Sequence, residues 1–166
     1  MKIHSRHLNY IDFQIMRELL LKEGTNEWNY ITDESIEHQF KLIQDGKALA
    51  VLAEEGEILG FAIVIFKGSC PSKLSKYEQV STIAYINDVV IASNQSGKGL
   101  GTRLLKESIR LASVEKCSKV YIERHEENLA SAGMMRKAEF ELVETFHDPD
   151  KRTSGSRNTT VQSICI

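Results

Sequence analysis

A β-branched apolar run over 82–92 passes through Ser93-Asn94-Gln95-Ser96 into Gly97-Lys98-Gly99-Leu100-Gly101, and there the apolar period changes from strand-like to helical. Leu100, Leu104, Ile109, Leu111 and Ala112 make one stripe, while Lys106, Glu107, Arg110 and Glu115 face away from it. A strand that turns directly into an amphipathic helix commits the middle of the chain to a β-loop-α unit, whose helix must cover one face of a sheet. The glycines leave main-chain N–H groups bare at the positive end of the helix, so the loop reads as a phosphate cradle. A glycine-rich turn that holds no ligand is the alternative. Two familiar phosphate motifs do not fit. GxxxxGK[ST] needs its lysine after the last glycine, whereas Lys98 precedes Gly99 and Gly101. GxGxxG fails at Thr102 and opens a βαβ unit near a domain's start, whereas residues 1–96 come first here.

The rest of the chain supplies the sheet and its cover. Helical periods predict helices over 10–21 and 33–44, joined by a loop that carries Trp28 and Tyr30. Apolar runs over 48–53 and 58–66 flank Glu54-Glu55-Gly56-Glu57 and read as a hairpin. A short strand at 1–4, another over 119–123, a helix over 128–138 and closing strands over 141–146 and 159–166 complete the order. The expectation is a single α/β domain over 1–166 with a mixed, mostly antiparallel central sheet flanked by helices. Its 21 Lys and Arg against 23 Asp and Glu give a net charge of −2 with no run of five like charges, which weighs against nucleic acid as a partner. The longest apolar run, 59–66, is far shorter than the roughly 20 residues that span a bilayer, and 1–13 lacks the apolar core of a signal peptide. Cys70, Cys117 and Cys165 are odd in number and lack CxxC spacing, which fits neither a disulfide framework nor a zinc site. A cytoplasmic protein without metal or membrane partner is expected, with a homodimer left open.

The stretch Val89-Val90-Ile91-Ala92-Ser93-Asn94-Gln95-Ser96-Gly97-Lys98-Gly99-Leu100-Gly101-Thr102-Arg103-Leu104-Leu105 resembles motif A of the GNAT acyl-CoA N-acyltransferases, whose pattern is Gln/Arg-x-x-Gly-x-Gly/Ala. Gly99 and Gly101 match, and Ser96 stands where Gln or Arg is usual. Glu123-Arg124-His125-Glu126-Glu127-Asn128, followed by a helix and Ala138-Glu139-Phe140, resembles the family's next motif. Asn128 matches the asparagine that opens that helix, Phe140 matches the phenylalanine of a Gly-Phe pair, and Glu139 replaces its glycine. The resemblance implies acetyl-CoA as co-substrate and transfer of its acetyl group to an amine by direct attack in a ternary complex. It also implies that the pantetheine arm lies beside Val89, Val90 and Ile91, and that the pyrophosphate meets Gly97, Lys98, Gly99, Leu100, Gly101 and Thr102. Lys98 and Arg103 would be countercharges, and Asn128 lies at the start of the next helix.

An alkyl ammonium, with a pKa near 10.4, must lose a proton before it can attack, so a base is required. Glu123 stands where several protein-amine acetyltransferases of the family carry their proton acceptor, and an ordinary strand-end carboxylate is its other reading. Asn87 and Asp88 interrupt the strand, and adjacent strand residues point to opposite faces, so the two are expected on opposite sides. A carboxylate in such an apolar run is costly unless partnered, which makes Asp88 the second candidate base or a satisfied structural acid. The tyrosine that often protonates the leaving thiolate would fall at Met135, leaving His125 or Tyr121 as donors, unaided departure, or no catalysis. The family's acceptor pocket draws on the loop between the first helices, here Trp28 and Tyr30 with Glu27 and Asp33. The final hairpin adds Lys151, Arg152 and Arg157, with solvated loop charges as the alternative reading. The acceptor class is a small-molecule or peptide amine. A catalytically silent acyl-CoA-binding module is the competing function, favoured by Ser96, Met135 and Glu139.

Overall fold

The computed structural model describes residues 1–166. Its elements are β1 (Lys2–His4), α1 (Tyr10–Leu19), α2 (Asp33–Gln44), β2 (Ala48–Glu54), β3 (Ile58–Phe66), β4 (Ile83–Ile91), α3 (Leu100–Val114), β5 (Lys119–His125), α4 (Leu129–Lys137), β6 (Glu141–His147) and β7 (Asn158–Cys165). The seven strands form one sheet in the order β1-β2-β3-β4-β5-β7-β6. Every neighbouring pair is antiparallel except β4 with β5, which is the mixed, mostly antiparallel sheet expected. The first helix is two residues shorter than its apolar period, because 20–24 wind into a single π-helical turn. No helix is long and apolar enough to cross a membrane.

Each face of the sheet carries its own core. Met16, Leu20, Ile36 and Phe40 from the α1 and α2 side pack on Phe61, Ile63, Tyr85 and Tyr121. On the opposite face Leu104, Leu105, Met135 and Phe140 pack on Val64, Ile86, Val120 and Ile122. β3 is buried along its whole length, as a strand covered on both faces must be.

Two irregularities in the middle of the sheet prepare a site. β4 and β5 pair only from Ile83 with Lys119 to Ile86 with Ile122. Beyond that, β4 stays with β3 as far as Ile91 and β5 stays with β7 as far as His125, so a wedge opens between them. The register of β4 on β3 also slips at this level, where Asp88 faces Ile63 but Ile86 faces Val64, leaving Asn87 as the extra residue of a bulge. Before the bulge, Ile83 and Tyr85 enter the α1 and α2 core; after it, Val90 does so while Val89 and Ile91 turn to the other face. The bulge therefore reverses the strand's alternation at Asn87 and Asp88. Both line the cavity at the wedge.

Candidate active site

Three cavities adjoin one another at shared wall residues, two of them at the wedge. The glycine-side cavity, of about 510 Å³, is lined by Val89, Ile91, Gly97, Gly99, Leu100, Gly101 and Thr102 on one wall and by α4 on the other. It shares Val89, Ser131 and Met134 with a small central cavity of about 130 Å³, which Asn87, Asp88, Val90, Glu123, Asn128 and Met135 also line. Glu123 in turn borders a third cavity of about 620 Å³, walled by Lys73, Leu74, Tyr77, Phe146, Lys151 and Val161.

At the glycine end the donors are main-chain groups. None of the N–H groups of 97–102 has a protein acceptor; the first intrahelical bond runs from Arg103 N–H to the Gly99 carbonyl, at 3.2 Å. Gly97 and Gly99 hold φ of 78° and 73°, values that a side chain resists, yet a Cβ at either would meet nothing within 4 Å. Gly101 differs, since its Cβ would run into Met134 Sδ and Ile91. A side chain there would have to displace the flexible end of Met134 on α4. Lys98 is exposed and donates to Gln95 Oε1 at 2.9 Å. Asn128 caps α4, its Oδ1 accepting from Ser131 N–H at 3.2 Å, and is itself buried. Met135, only 2 % exposed, belongs to the second core while touching the central cavity.

The two candidate bases have opposite surroundings. Glu123 Oε2 accepts from Lys73 Nζ at 2.7 Å, Lys151 Nζ at 2.8 Å and the Tyr85 hydroxyl at 3.2 Å. Burial on its own would raise this carboxyl, but the two ammoniums outweigh it and hold it near 2. An oxygen so stabilised is a feeble proton acceptor. Asp88 has no cation in contact, and burial pushes it up to about 6, a rise restrained by Gln39 and, from farther off, Lys151. Gln39 sits fully buried on α2, and its Oε1 has no hydrogen-bond partner. Asp88 is thus the carboxylate tuned to exchange protons near neutrality.

The sequence candidates for thiolate protonation are committed elsewhere. His125 Nδ1 accepts from Glu127 N–H at 3.0 Å and Nε2 donates to the Ser154 carbonyl at 2.8 Å, so both ring nitrogens are taken. Its ring packs on Trp28 with centroids 4.7 Å apart. Tyr121 lies in the first core, stacked on Tyr77 at 5.8 Å, with its phenol toward the Lys119 and Glu78 end of the strand. Arg152 is buried rather than solvated, and donates to Thr159 Oγ1, Asn29 Oδ1 and the Trp28 carbonyl. With Ser154, whose hydroxyl donates to the Glu27 carbonyl, it ties the α1–α2 loop to the β6–β7 loop. Trp28 is therefore part of that tie, and Tyr30, 76 % exposed, stands outside all three cavities. Lys73, Tyr85 and Gln39 also surround the two acids and were missed by the sequence reading; Lys73 lies in a 3-10 turn whose sequence has no period to place it.

Residues 13–140 match the acetyltransferase (GNAT) family. Among solved structures, the chain is similar to the aminoglycoside acetyltransferase AAC(6')-Ib in complex with coenzyme A and kanamycin, with a TM-score of 0.76, 20 % identity and coverage of 99 % of this chain and 95 % of that one. It is similar to a ribosomal-protein-alanine N-acetyltransferase from Brucella melitensis, with a TM-score of 0.75, 23 % identity and coverage of 98 % and 99 %. It is also similar to a Bacillus subtilis acetyltransferase in complex with coenzyme A, with a TM-score of 0.69, 14 % identity and coverage of 99 % of both chains.

Proposed function

Because the chain belongs to the acetyltransferase (GNAT) family, we propose that it moves an acetyl group from acetyl-CoA to a primary amine of a small molecule or peptide, with both substrates held in the wedge at once. The observation that carries this reading is the adjacency of three cavities, with free main-chain donors at the first, Asp88 on the wall of the second and a roomy chamber across Glu123 from it. Six successive N–H groups at a helix start suit a pyrophosphate, with Lys98 and Arg103 as exposed countercharges nearby. Acetyl-CoA supplies an acyl group already activated as a thioester.

The residues of this chain do the rest. Past Ile86, β4 has no partner on its β5 side, so its main-chain groups around Val89 are free to orient and polarise an acyl carbonyl in the central cavity. Asp88, ionised above about pH 6, takes the proton from the acceptor's ammonium and leaves a neutral nucleophile. Gln39 restrains the rise of the Asp88 carboxyl, and Asn87 Nδ2 reaches Asp88 Oδ2 at 3.5 Å. Glu123 does not carry a proton here: its charge is spent on holding the Lys73 and Lys151 ammoniums at the inner end of the acceptor cavity. No side chain is assigned to protonate the thiolate, a tolerable leaving group with a pKa near 8.5.

Release of free thiol from acetyl-CoA against a broad panel of amines tests the proposal. Activity with at least one amine, abolished in Asp88→Asn, is the expected result. Tight coenzyme A binding without thiol release from any amine or peptide would instead make the chain a silent acyl-CoA-binding module.

A further inference from the structure

The acceptor chamber has an unusual balance of charge at its inner end. Lys73 and Lys151 both donate to a single oxygen, Oε2 of Glu123, whose side chain is only 2 % exposed. Two ammoniums against one carboxylate leave one positive charge uncompensated. Each lysine side chain remains about two-fifths exposed to the chamber, at 41 % and 42 %, so each keeps N–H donors for something else. Of the other charges around the chamber, all but one carboxylate at the rim have partners. Lys76 pairs with Glu144 at 3.0 Å, and Glu144 also takes the Tyr77 hydroxyl. Asp148 accepts from Thr159 Oγ1 at 2.7 Å and lies in the field of Arg152. Asp150 alone is unpaired, exposed at the rim. Between these groups Leu74, Tyr77, Phe146 and Val161 form an apolar and aromatic wall.

Resting on the acetyltransferase reading, we infer that the acceptor amine also carries a carboxylate, seated on Lys73 and Lys151, with an apolar or aromatic side group against Tyr77 and Phe146: an amino acid or a short peptide rather than a polycation. Its ammonium then lies away from the two lysines, toward Asp88 on the far side of Glu123. A polycationic acceptor such as an aminoglycoside would set its ammoniums against the two lysines, and the buried Glu123 is already saturated by them.

Titration calorimetry with coenzyme A present reads this without needing turnover. N-acetylphenylalanine, an acylated product bearing a free carboxylate, should bind about tenfold or more tightly than N-acetylphenylalanine amide, in line with a charge-assisted bond to an ammonium. Kanamycin should not bind measurably. Lys73→Met and Lys151→Met should each shrink the acid-to-amide ratio, and Lys73→Arg should retain it. Equal binding of acid and amide, no binding of the acid, or a ratio that survives both methionine variants overturns the inference. The two readings fail separately. Acid-selective binding with no thiol release from any amine sinks the enzyme reading alone, and thiol release that runs equally on phenylalanine and phenylalanine amide sinks this one alone.

Discussion

On the glycine side of the wedge the groups proposed to bind are main-chain N–H donors of successive residues 97–102, which have no protein acceptor. On the acceptor side they are side chains of Lys73, Glu123 and Lys151, which stand 50 and 28 positions apart along the chain. The first kind of site needs only a backbone path, and three glycines with a helix behind them secure it. The second needs three elements brought together, and its charges set one another's behaviour. Main-chain sites therefore resist drift in side chains, while ion-cluster sites let one fold accept different substrates.

The largest test of that contrast lies between the two regions. Asp88→Asn should lower the single-turnover acetylation rate by about 10² to 10⁴ while leaving coenzyme A affinity on the glycine side unaltered. The parent's rate should fall as pH drops through about 6, where Asp88 takes up a proton, and the variant should lose that bend. Burial raises this carboxyl above its usual 3.8, so its ionisation costs stability as pH climbs from about 4 to 6. The variant should then melt higher than the parent at pH 7 and not at pH 4.

Glu123→Gln probes the ion cluster next. A carboxyl held near 2 instead of 4.5 carries up to about 3 kcal/mol of stability, present above pH 4.5 and lost as pH falls toward 2. Denaturant unfolding should show that loss at pH 7, with parent and variant converging in acid. If coenzyme A affinity drops as well, the two regions are not independent.

Gly99→Val attacks the glycine side alone. Nothing crowds its Cβ, so the cost is conformational, about 1–2 kcal/mol for a side chain at φ 73°, and it falls on the N–H groups that face the cradle. Calorimetry should show coenzyme A binding roughly tenfold weaker with acceptor-chamber ligands unaffected. Unchanged affinity in well-folded protein would remove the cradle from the binding site.

Met135→Tyr should have the smallest effect. Met135 fills core yet touches the central cavity, and a phenol there could raise the single-turnover rate by about tenfold as a proton donor. A lower melting temperature without faster chemistry would show that this wall of the cavity is packing only.

Legibility followed the same divide. The glycine loop and the helix behind it announce themselves by spacing, because a positive φ and an apolar stripe are local properties, whereas Asn128 was picked out by the family resemblance. Glu123 and Asp88 were both visible as acids in apolar strands, but their ranking was not: it rests on Lys73 and Lys151 meeting Glu123 and on Gln39 meeting Asp88. His125 and Tyr121 looked available because a sequence cannot show that Glu127 and Ser154 occupy one ring and that the core holds the other.

By itself, then, the amino-acid sequence determined the element order, the burial of the central strands and the glycine turn between β4 and α3, all of which follow from short-range periodicity and backbone freedom. Tertiary structure alone decided the bulge at Asn87 that turns Asp88 into the cavity, the parting of β4 from β5, and the two lysines that share Glu123 Oε2. A carboxylate's affinity for a proton is set by the charges within a few ångströms and by its access to water, and in this chain those neighbours come from segments up to 50 residues away.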